Sequence, residues 1–292
     1  MAKSNNYMQI KNTRGSKILN IFFLLLLQGG LNAQNISNAA KDERALYAET
    51  KQVNQFFRRF NNEEAVDGTR YYDKDKEYRD PKTREKYLKM LFDSQNPALN
   101  KDITSQFIAA ISTKDKPVYL DFHGGEWFSQ ITTKFSWNGK EDKLTMFLEL
   151  EDAGLGSKWI IKKVIFPPFD KDFEKDTTGS KYFLHPLSHE LDFMNLHKAI
   201  QNNKDNIENY TSKHYSPDHL TLFLNEIKKG NLKFITVSKV KFHFTQVNNW
   251  YFELQEFNRT GYNTGWLISK LTKINNSKDK ESLLQQIYSQ HE

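Results

Sequence analysis

The sequence contains no cysteine among its 292 residues. This absence excludes disulfide bonds, catalysis by a thiol and a lipidated N-terminal cysteine. Exported proteins of this size without cysteine are ordinary in bacteria and less usual in eukaryotic secretion. If the chain is exported, the missing cysteine therefore favours a bacterial source.

The chain also lacks an apolar run long enough to cross a bilayer. Its apolar run at residues 18–27 has ten residues, whereas a transmembrane helix needs about 20. Four basic residues and no acidic residue precede this run, and a break at Gln28-Gly29-Gly30 leads to the small residue Ala33. This order is typical of a secretory signal peptide, here of the Gram-negative type, cleaved after Ala33. The alternative is an uncleaved amphipathic or membrane anchor at residues 1–33.

An excess of charge of one sign is also missing once the predicted signal peptide is removed. The whole chain has 42 basic and 36 acidic residues, a formal net charge of +6. Cleavage leaves 38 basic and 36 acidic residues, a net charge of +2, and no integral membrane segment. We therefore expect a periplasmic or secreted protein that does not bind nucleic acid, although residues 239–244 are basic and aromatic.

Motifs of the common enzyme classes are absent. The chain has no phosphate-binding glycine loop, no nucleophile elbow and no His-Glu-x-x-His sequence. His185, His189, Glu190 and His197 are residue types that bind metals, but His189 and His197 are eight positions apart. On a helix their directions differ by roughly 80°, so we predict neither a metal site nor a cofactor.

Two segments share one strand–turn–strand pattern, at residues 144–164 and 250–271. Each has a glutamate between apolar residues, then a turn with glycine, then a tryptophan followed by two aliphatic residues. The glutamates are Glu149 and Glu253, and the tryptophans are Trp159 and Trp266. Alternation along the first strand predicts one buried face and places Phe147 and Glu149 on the opposite face.

The rest of the chain has helical periodicity before each group of strands. Asn138-Gly139 indicates a hairpin turn, and a change of alternation near Ser238-Lys239 indicates a β-bulge. The predicted helices cover residues 39–60, 81–92, from Asp102 or Thr104 to 111, 188–200, 216–230 and 278–291. The other predicted strands cover residues 118–122, 131–137 and 233–247.

The order of these elements predicts an α+β protein with an internal duplication. Each copy has N-terminal helices that pack on a bent antiparallel sheet. The predicted parts are a signal peptide (1–33), a first domain (41–168), a linker (169–187), a second domain (188–275) and a helical tail (276–292).

The helices followed by long strands, the bulged strand at 233–247 and the two glycine-turn-tryptophan strands resemble the nuclear transport factor 2-like superfamily. The resemblance covers residues 41–168 and 188–275 and implies two cone-shaped α+β domains. In that superfamily the cone often holds a small ligand or an active site, and many members are binding domains without catalysis. The resemblance assigns no catalytic residue to this chain.

Four residues are candidates for acid/base chemistry. Asp121 and His123, two apart on a predicted strand, would share one face and could form an acid/base pair. The alternative is that both face solvent. Glu149 and Glu253 occupy equivalent places in the two hairpins, where they are either pocket carboxylates or surface residues paired with lysines of the adjacent strand.

Three aromatic residues are candidates for binding a ligand or partner: Trp159, Trp266 and Tyr262. The alternative for the tryptophans is packing in the core of the sheet. The sequence as a whole predicts an exported, non-enzymatic binding or interaction protein of the bacterial envelope, whose partner is an unknown protein or small molecule. The alternative is a small-molecule isomerase, dehydratase or hydrolase that uses acid/base residues in a cone-shaped pocket.

Overall fold

A computed structural model describes residues 53–290 except 66, 155, 176–195, 203 and 260–262, and only the backbone of residues 197–199. The predicted signal peptide and the predicted helix before residue 53 lie outside this range. Within it, the chain from Val53 onward belongs to one compact unit.

Among the described residues, three helices precede the first strand, as predicted. They are α1 (residues 53–61), α2 (Pro81–Leu88), which a 3₁₀ turn extends over Lys89–Leu91, and α3 (Lys101–Ile111). Proline at the first position of α2 suits a helix start, and the Asp80 carboxylate accepts a hydrogen bond from the Thr83 N–H. The cap of α3 is Asn100, not the predicted Asp102 or Thr104, because the Asn100 Oδ1 accepts the first free N–H groups.

Six antiparallel strands form one sheet with the order β3-β2-β1-β4-β5-β6. Both predicted hairpins are present, and Asn138 and Gly139 make the β1–β2 turn with φ of 51° and 84°. The strands are β1 (Trp127–Trp137), β2 (Lys140–Asp152), β3 (Ser157–Ile165), β4 (Leu232–Phe244), β5 (Trp250–Phe257) and β6 (Gly265–Lys273).

The pairing of β1 with β4 corrects the expectation of one sheet in each half of the chain. These two strands pair along the whole of β1, from Trp127 opposite Phe244 to Trp137 opposite Leu232. The predicted bulge lies in β4 at Ser238, between the partners of Thr132 and Thr133. Strands from both halves therefore share one hydrogen-bonded sheet, and the predicted linker does not separate two sheets.

The remaining described helices lie between β3 and β4 and after β6. The Asp218 carboxylate accepts the first free N–H groups of α6, and Gly230 ends this helix with a φ of 76°. The predicted helix start at Ser188 lies outside the described residues. The helices are α4 (Pro167–Lys171), α5 (Leu196–Asn202), α6 (His219–Lys229) and α7 (Ser277–Ser289), and a 3₁₀ segment covers Lys204–Tyr210.

Helices cover one face of the sheet in two groups. Helices α1 to α3 pack over one end, where the Phe107 ring lies 5.3 Å from Trp250 and 5.7 Å from Phe252. Helix α6 packs over the other end, where the Phe223 ring lies 5.8 Å from Phe135. Each buried phenylalanine contributes about 1.5–3 kcal/mol through the hydrophobic effect, so both groups stabilise the same sheet.

Helix α7 covers the opposite face of the sheet. Its apolar side, with Ile287 and Tyr288, packs against Phe128, Phe147 and Tyr251. Phe147 is fully buried there, which corrects the prediction that it shares an open face with Glu149. Alternation identified the two faces, but a helix from the far end of the chain covers the second one.

Candidate functional site

The segment between α3 and β1 is fixed by side chains and is not the predicted strand over residues 118–122. Asn61 holds Leu120 at both backbone groups: its Nδ2 donates to the carbonyl at 2.9 Å, and its Oδ1 accepts from the N–H at 2.8 Å. Gln246 donates to the carbonyls of Asp121 and Gly125 at 2.6 Å each. Side-chain amides thus satisfy backbone groups that a neighbouring strand would otherwise bind.

Buried Arg84 joins this segment to the helices. Its guanidinium donates hydrogen bonds to the carbonyls of Phe60, Ile111 and Val118, which belong to α1, α3 and the segment itself. Burial lowers the pKa of Arg84 to about 10, so it stays charged at neutral pH. It lies 4.6 Å from the centre of the Tyr119 ring. The segment is therefore held rigidly against α1.

A cleft of about 730 Å³ opens between α1, the loop that follows α1 and this segment. Its volume lies in the range of sites that hold small molecules, about 300–1,000 Å³. We call it the arginine cleft. It is lined by Asn54, Phe57, Arg58, Asn61, Glu63, Arg70, Arg79, Tyr119, Leu120, Asp121, Phe122 and His123.

Two of the three arginines in the cleft are held by glutamates. The Arg58 Nε donates to Glu64 at 2.6 Å, and Glu64 is almost fully buried. The Nε and Nη2 atoms of Arg79 both donate to one Glu63 oxygen, at 2.8 and 2.6 Å. Arg79 also lies 4.3 Å from the centre of the Tyr119 ring. Burial alone would lower the pKa of Arg79, but the hydrogen bonds and charge of Glu63 raise it.

Asp121 and His123 both line the arginine cleft, but not as the predicted strand pair. The Asp121 carboxylate accepts a hydrogen bond from the backbone N–H of His123 at 2.9 Å, so it holds the turn. The His123 Nδ1 lies 2.8 Å from the Ser157 hydroxyl at the start of β3. The acid therefore bonds to the backbone of His123, while the imidazole bonds to a different strand.

Glu149 lies on the face that α7 covers. It accepts a hydrogen bond from the Tyr288 hydroxyl at 3.2 Å and pairs with Lys162 of the adjacent strand at 3.4 Å. The lysine pair agrees with the structural alternative predicted for this residue. Burial, followed by the charge and hydrogen bond of Glu149, raises the pKa of Tyr288. Glu149 thus helps to fix α7 on the sheet.

The register corrects the predicted equivalence of Glu149 and Glu253. Each hairpin has a bulge three residues after its tryptophan, at Lys162 in β3 and at Ser269 in β6. The pairs that flank these bulges are Phe147↔Lys163 with Leu148↔Ile161, and Glu253↔Lys270 with Leu254↔Ile268. When the bulges are aligned, Glu253 matches Phe147 and Glu149 matches Gln255, a displacement of two residues that keeps the same face.

Glu253 belongs to a buried polar cluster under α7, which we call the Glu253 network. Its carboxylate accepts hydrogen bonds from Gln255 at 2.7 Å and Ser269 at 3.2 Å, and lies 3.8 Å from the Lys241 Nζ. Its second oxygen lies 4.0 Å from the His243 Nδ1. The Glu253 network consists of Gln130, Lys241, His243, Tyr251, Glu253, Gln255 and Ser269.

His243 is at the centre of the Glu253 network. Its Nδ1 lies 2.7 Å from the Tyr251 hydroxyl, and its Nε2 lies 2.9 Å from the Gln130 Oε1. Burial, and then the charges of Lys241 and Lys270, lower the pKa of His243 to about 3, so the ring is neutral. Burial, and then Glu253, raise the pKa of Tyr251. Perturbed groups in hydrogen-bond contact also occur in catalytic sites.

The two candidate tryptophans lie in the core beneath α1 to α3. The Trp266 ring is buried 4.9 Å from Phe242, and Trp159 is half-buried at the edge of the cluster, 5.3 Å from Trp127. Their surroundings agree with the packing alternative. The third aromatic candidate, Tyr262, lies outside the described residues.

The histidine-rich segment cannot be compared with its prediction. His185, His189 and Glu190 lie outside the described residues, as does the side chain of His197. Among the residues that the structure does describe, no group of three or more histidine, aspartate or glutamate side chains is arranged to hold a metal ion.

None of the helices in the described ranges has the length and apolar character that a membrane span requires.

The arginine cleft was not predicted as a site, although the amino-acid composition around it carries a signal. Only eight of the 42 basic residues are arginines, and five of these eight lie between positions 58 and 84. Arginine binds planar anions through two parallel hydrogen bonds and stacks on aromatic rings, whereas lysine does neither as well. A local preference for arginine in a lysine-rich chain therefore indicates a specific site.

Comparisons of this chain with family models, with curated proteins and with solved structures find no match.

Proposed function

We propose that this chain is an exported, non-enzymatic binding protein of the bacterial cell envelope, and that a small ligand or partner group occupies the arginine cleft. The cleft itself is the observation that carries the proposal. It has the volume of a small-molecule site and is lined by arginines and aromatic rings. The order of residues 1–33 supports export.

The polar groups of the cleft support binding over catalysis. Glu63 holds Arg79, and the Asp121 carboxylate accepts from the His123 backbone. General acid/base catalysis needs a titratable group within hydrogen-bond reach of the substrate proton and free to exchange it. Because both carboxylates of the cleft are engaged as structural acceptors and the His123 Nδ1 bonds to the Ser157 hydroxyl, the chemistry of the cleft suits recognition.

The second candidate function is a small-molecule isomerase, dehydratase or hydrolase, and the Glu253 network favours it. Glu253, Tyr251 and His243 form a connected set of acid/base groups. However, Tyr251 and His243 are at most 1% exposed, so a substrate reaches them only if α7 moves. Turnover of a substrate that is lost in Glu253→Gln and retained in Asn54→Trp would favour this candidate.

We also infer an internal duplication of a unit with one helix and three strands, α3-β1-β2-β3 and α6-β4-β5-β6. The symmetric strand order and the matching bulges at Lys162 and Ser269 support it. Each helix packs on strands of the other copy, since α3 contacts β5 and α6 contacts β1. Membership of the nuclear transport factor 2-like superfamily is part of this proposal and rests on the bulged strands.

A fragment screen tests the binding proposal. Protein purified from the periplasm of cells that express the whole chain is screened by ligand-observed NMR. Asn54→Trp fills the cleft from α1 without changing its charge, and Asn225→Trp, on the exposed side of α6, is the matched control. We expect fragments that bind the wild type and Asn225→Trp but not Asn54→Trp. If no fragment distinguishes the two variants, the cleft is not the binding site.

A further inference from the structure

We infer that the ligand of the arginine cleft is a soluble small molecule with an oxyanion group, a carboxylate or a phosphate. This inference rests on the proposed function and specifies the chemistry of its ligand. It is carried by unused guanidinium donors in the cleft.

The three arginines of the cleft offer more N–H donors than their protein partners use. A guanidinium has five N–H groups. Arg58 uses its Nε on Glu64, and Arg79 uses its Nε and Nη2 on Glu63. Arg70 is exposed and makes no ion pair with any of the described residues. Within the described part of the chain, no hydrogen bond uses the Nη groups of Arg58, the Nη1 of Arg79 or the fork of Arg70, so these donors are available to a ligand.

Two of these guanidiniums are held in place before a ligand arrives. Glu64 is almost fully buried and also accepts from the Gln55 amide at 2.6 Å, so it fixes Arg58 firmly. Tyr119 stacks under Arg79, and Arg84 lies on the same ring and is itself held by three carbonyls. Groups that are already oriented lose little side-chain entropy when an anion binds.

The balance of charge around the cleft favours an anion. Its lining has three arginines against the carboxylates of Glu63 and Asp121. The cations of the lining therefore exceed its acids by one, around a space that also offers the rings of Phe57 and Phe122. This combination suits an oxyanion on an apolar or planar body, because the guanidinium fork matches carboxylate and phosphate geometry.

Isothermal titration with citrate and with inorganic phosphate, at low ionic strength and with glucose as the neutral probe, tests this inference. We expect citrate or phosphate to bind and glucose not to bind. Arg70→Gln should weaken anion binding at least about tenfold, and Arg70→Lys should restore only part of it because lysine keeps the charge but not the fork. Comparison of citrate with phosphate distinguishes the two oxyanions.

Arg259→Gln is the control for the loss of an arginine outside the cleft, because Arg259, like Arg79, is paired with a carboxylate, Asp93, and lies over an aromatic ring, Phe257. Arg58→Gln provides a second variant within the cleft. Equal losses in Arg70→Gln and Arg259→Gln, or anion binding that survives Asn54→Trp, would overturn the inference. Cleft binding restricted to neutral fragments would overturn it while the proposed function stands. If nothing binds in a manner sensitive to Asn54→Trp, both fail.

Discussion

His243 shows how strongly one buried side chain can couple this fold to pH. Its ring is about 1% exposed and faces Tyr251, Gln130 and Lys241, and it stacks on Phe128 at 4.8 Å. Water is excluded on all these sides, so the neutral imidazole is strongly favoured in the folded state.

Protonation of His243 therefore favours the unfolded state. Its pKa falls from 6.5 to about 3 on folding, so its contribution is complete above pH 6.5 and is lost as pH falls below that value. Below pH 6.5 the contribution of His243 to the free energy of unfolding falls by about 1.4 kcal/mol per pH unit. Between pH 6 and 4.5, we expect the free energy of unfolding to fall by roughly 2 kcal/mol more in the wild type than in His243→Gln.

Urea unfolding of both proteins at several pH values measures this difference. The absolute stability of His243→Gln is not the readout, because any change in the Glu253 network alters it. The slope against pH is the readout, and parallel slopes would contradict a neutral, buried His243. Measurement above pH 4.5 keeps the titration of most aspartates outside the window.

Sequence patterns identified residues whose role depends on near neighbours and missed those whose role depends on distant ones. Helix α6 ends at Gly230, as predicted, because this glycine acts on the adjacent turn alone, whereas the helix begins at His219 and not at the predicted residue 216. Arg84 was not singled out within the predicted helix 81–92, yet it is 2% exposed and donates hydrogen bonds to three carbonyls. Its partners Ile111 and Val118 lie about 30 positions away, so local periodicity carries no trace of them.

At the scale of elements, helix α7 covers the face of the sheet opposite the other helices. Periodicity predicted its apolar side but not the residues against which that side packs. The buried Ile287 lies with Phe128, Phe147 and Tyr251, and Tyr288 bonds to Glu149. Without α7 this face would expose large aromatic residues to water, so α7 belongs to the core of the fold.

Ile287→Ala tests the docking of α7. Because Ile287 is 3% exposed, we expect a loss of about 2–5 kcal/mol in the free energy of unfolding. Gln286→Ala, one position earlier on the exposed side of the same helix, should change it by less than about 0.5 kcal/mol. Chemical denaturation of the two variants measures both values. Similar small losses would mean that α7 is not packed on the sheet in solution.

The hairpins also show the limit of prediction at this scale. The pairs β1–β2, β2–β3 and β5–β6 were predicted because each partner follows its neighbour across a short turn with a recognisable signal, such as Asn138-Gly139. The pair β1–β4 joins residues about 100 positions apart. Alternation indicates which residues face the core but not which strand lies alongside. For this reason the sequence predicted a separate sheet for each half.

At the scale of the whole molecule, the shared sheet implies one cooperative unit. The two halves exchange support in both directions: α3 packs on β5 of the second half, and α6 packs on β1 of the first half as well as on its own β4. A half without the other would lose the central β1–β4 pairing and the helix over its strands. Neither half therefore has a complete core of its own, even if the two halves arose by duplication.

We therefore expect a single unfolding transition, with tryptophan fluorescence and circular dichroism coincident. Tryptophans in both halves report on it. Leu144→Ala in the first half and Leu254→Ala in the second remove matched, fully buried leucines, and each should cost about 2–5 kcal/mol. Since one sheet contains both sites, each substitution should move the same transition as a whole. Two transitions, each moved by only one substitution, would instead mean two independent domains and would contradict the shared sheet.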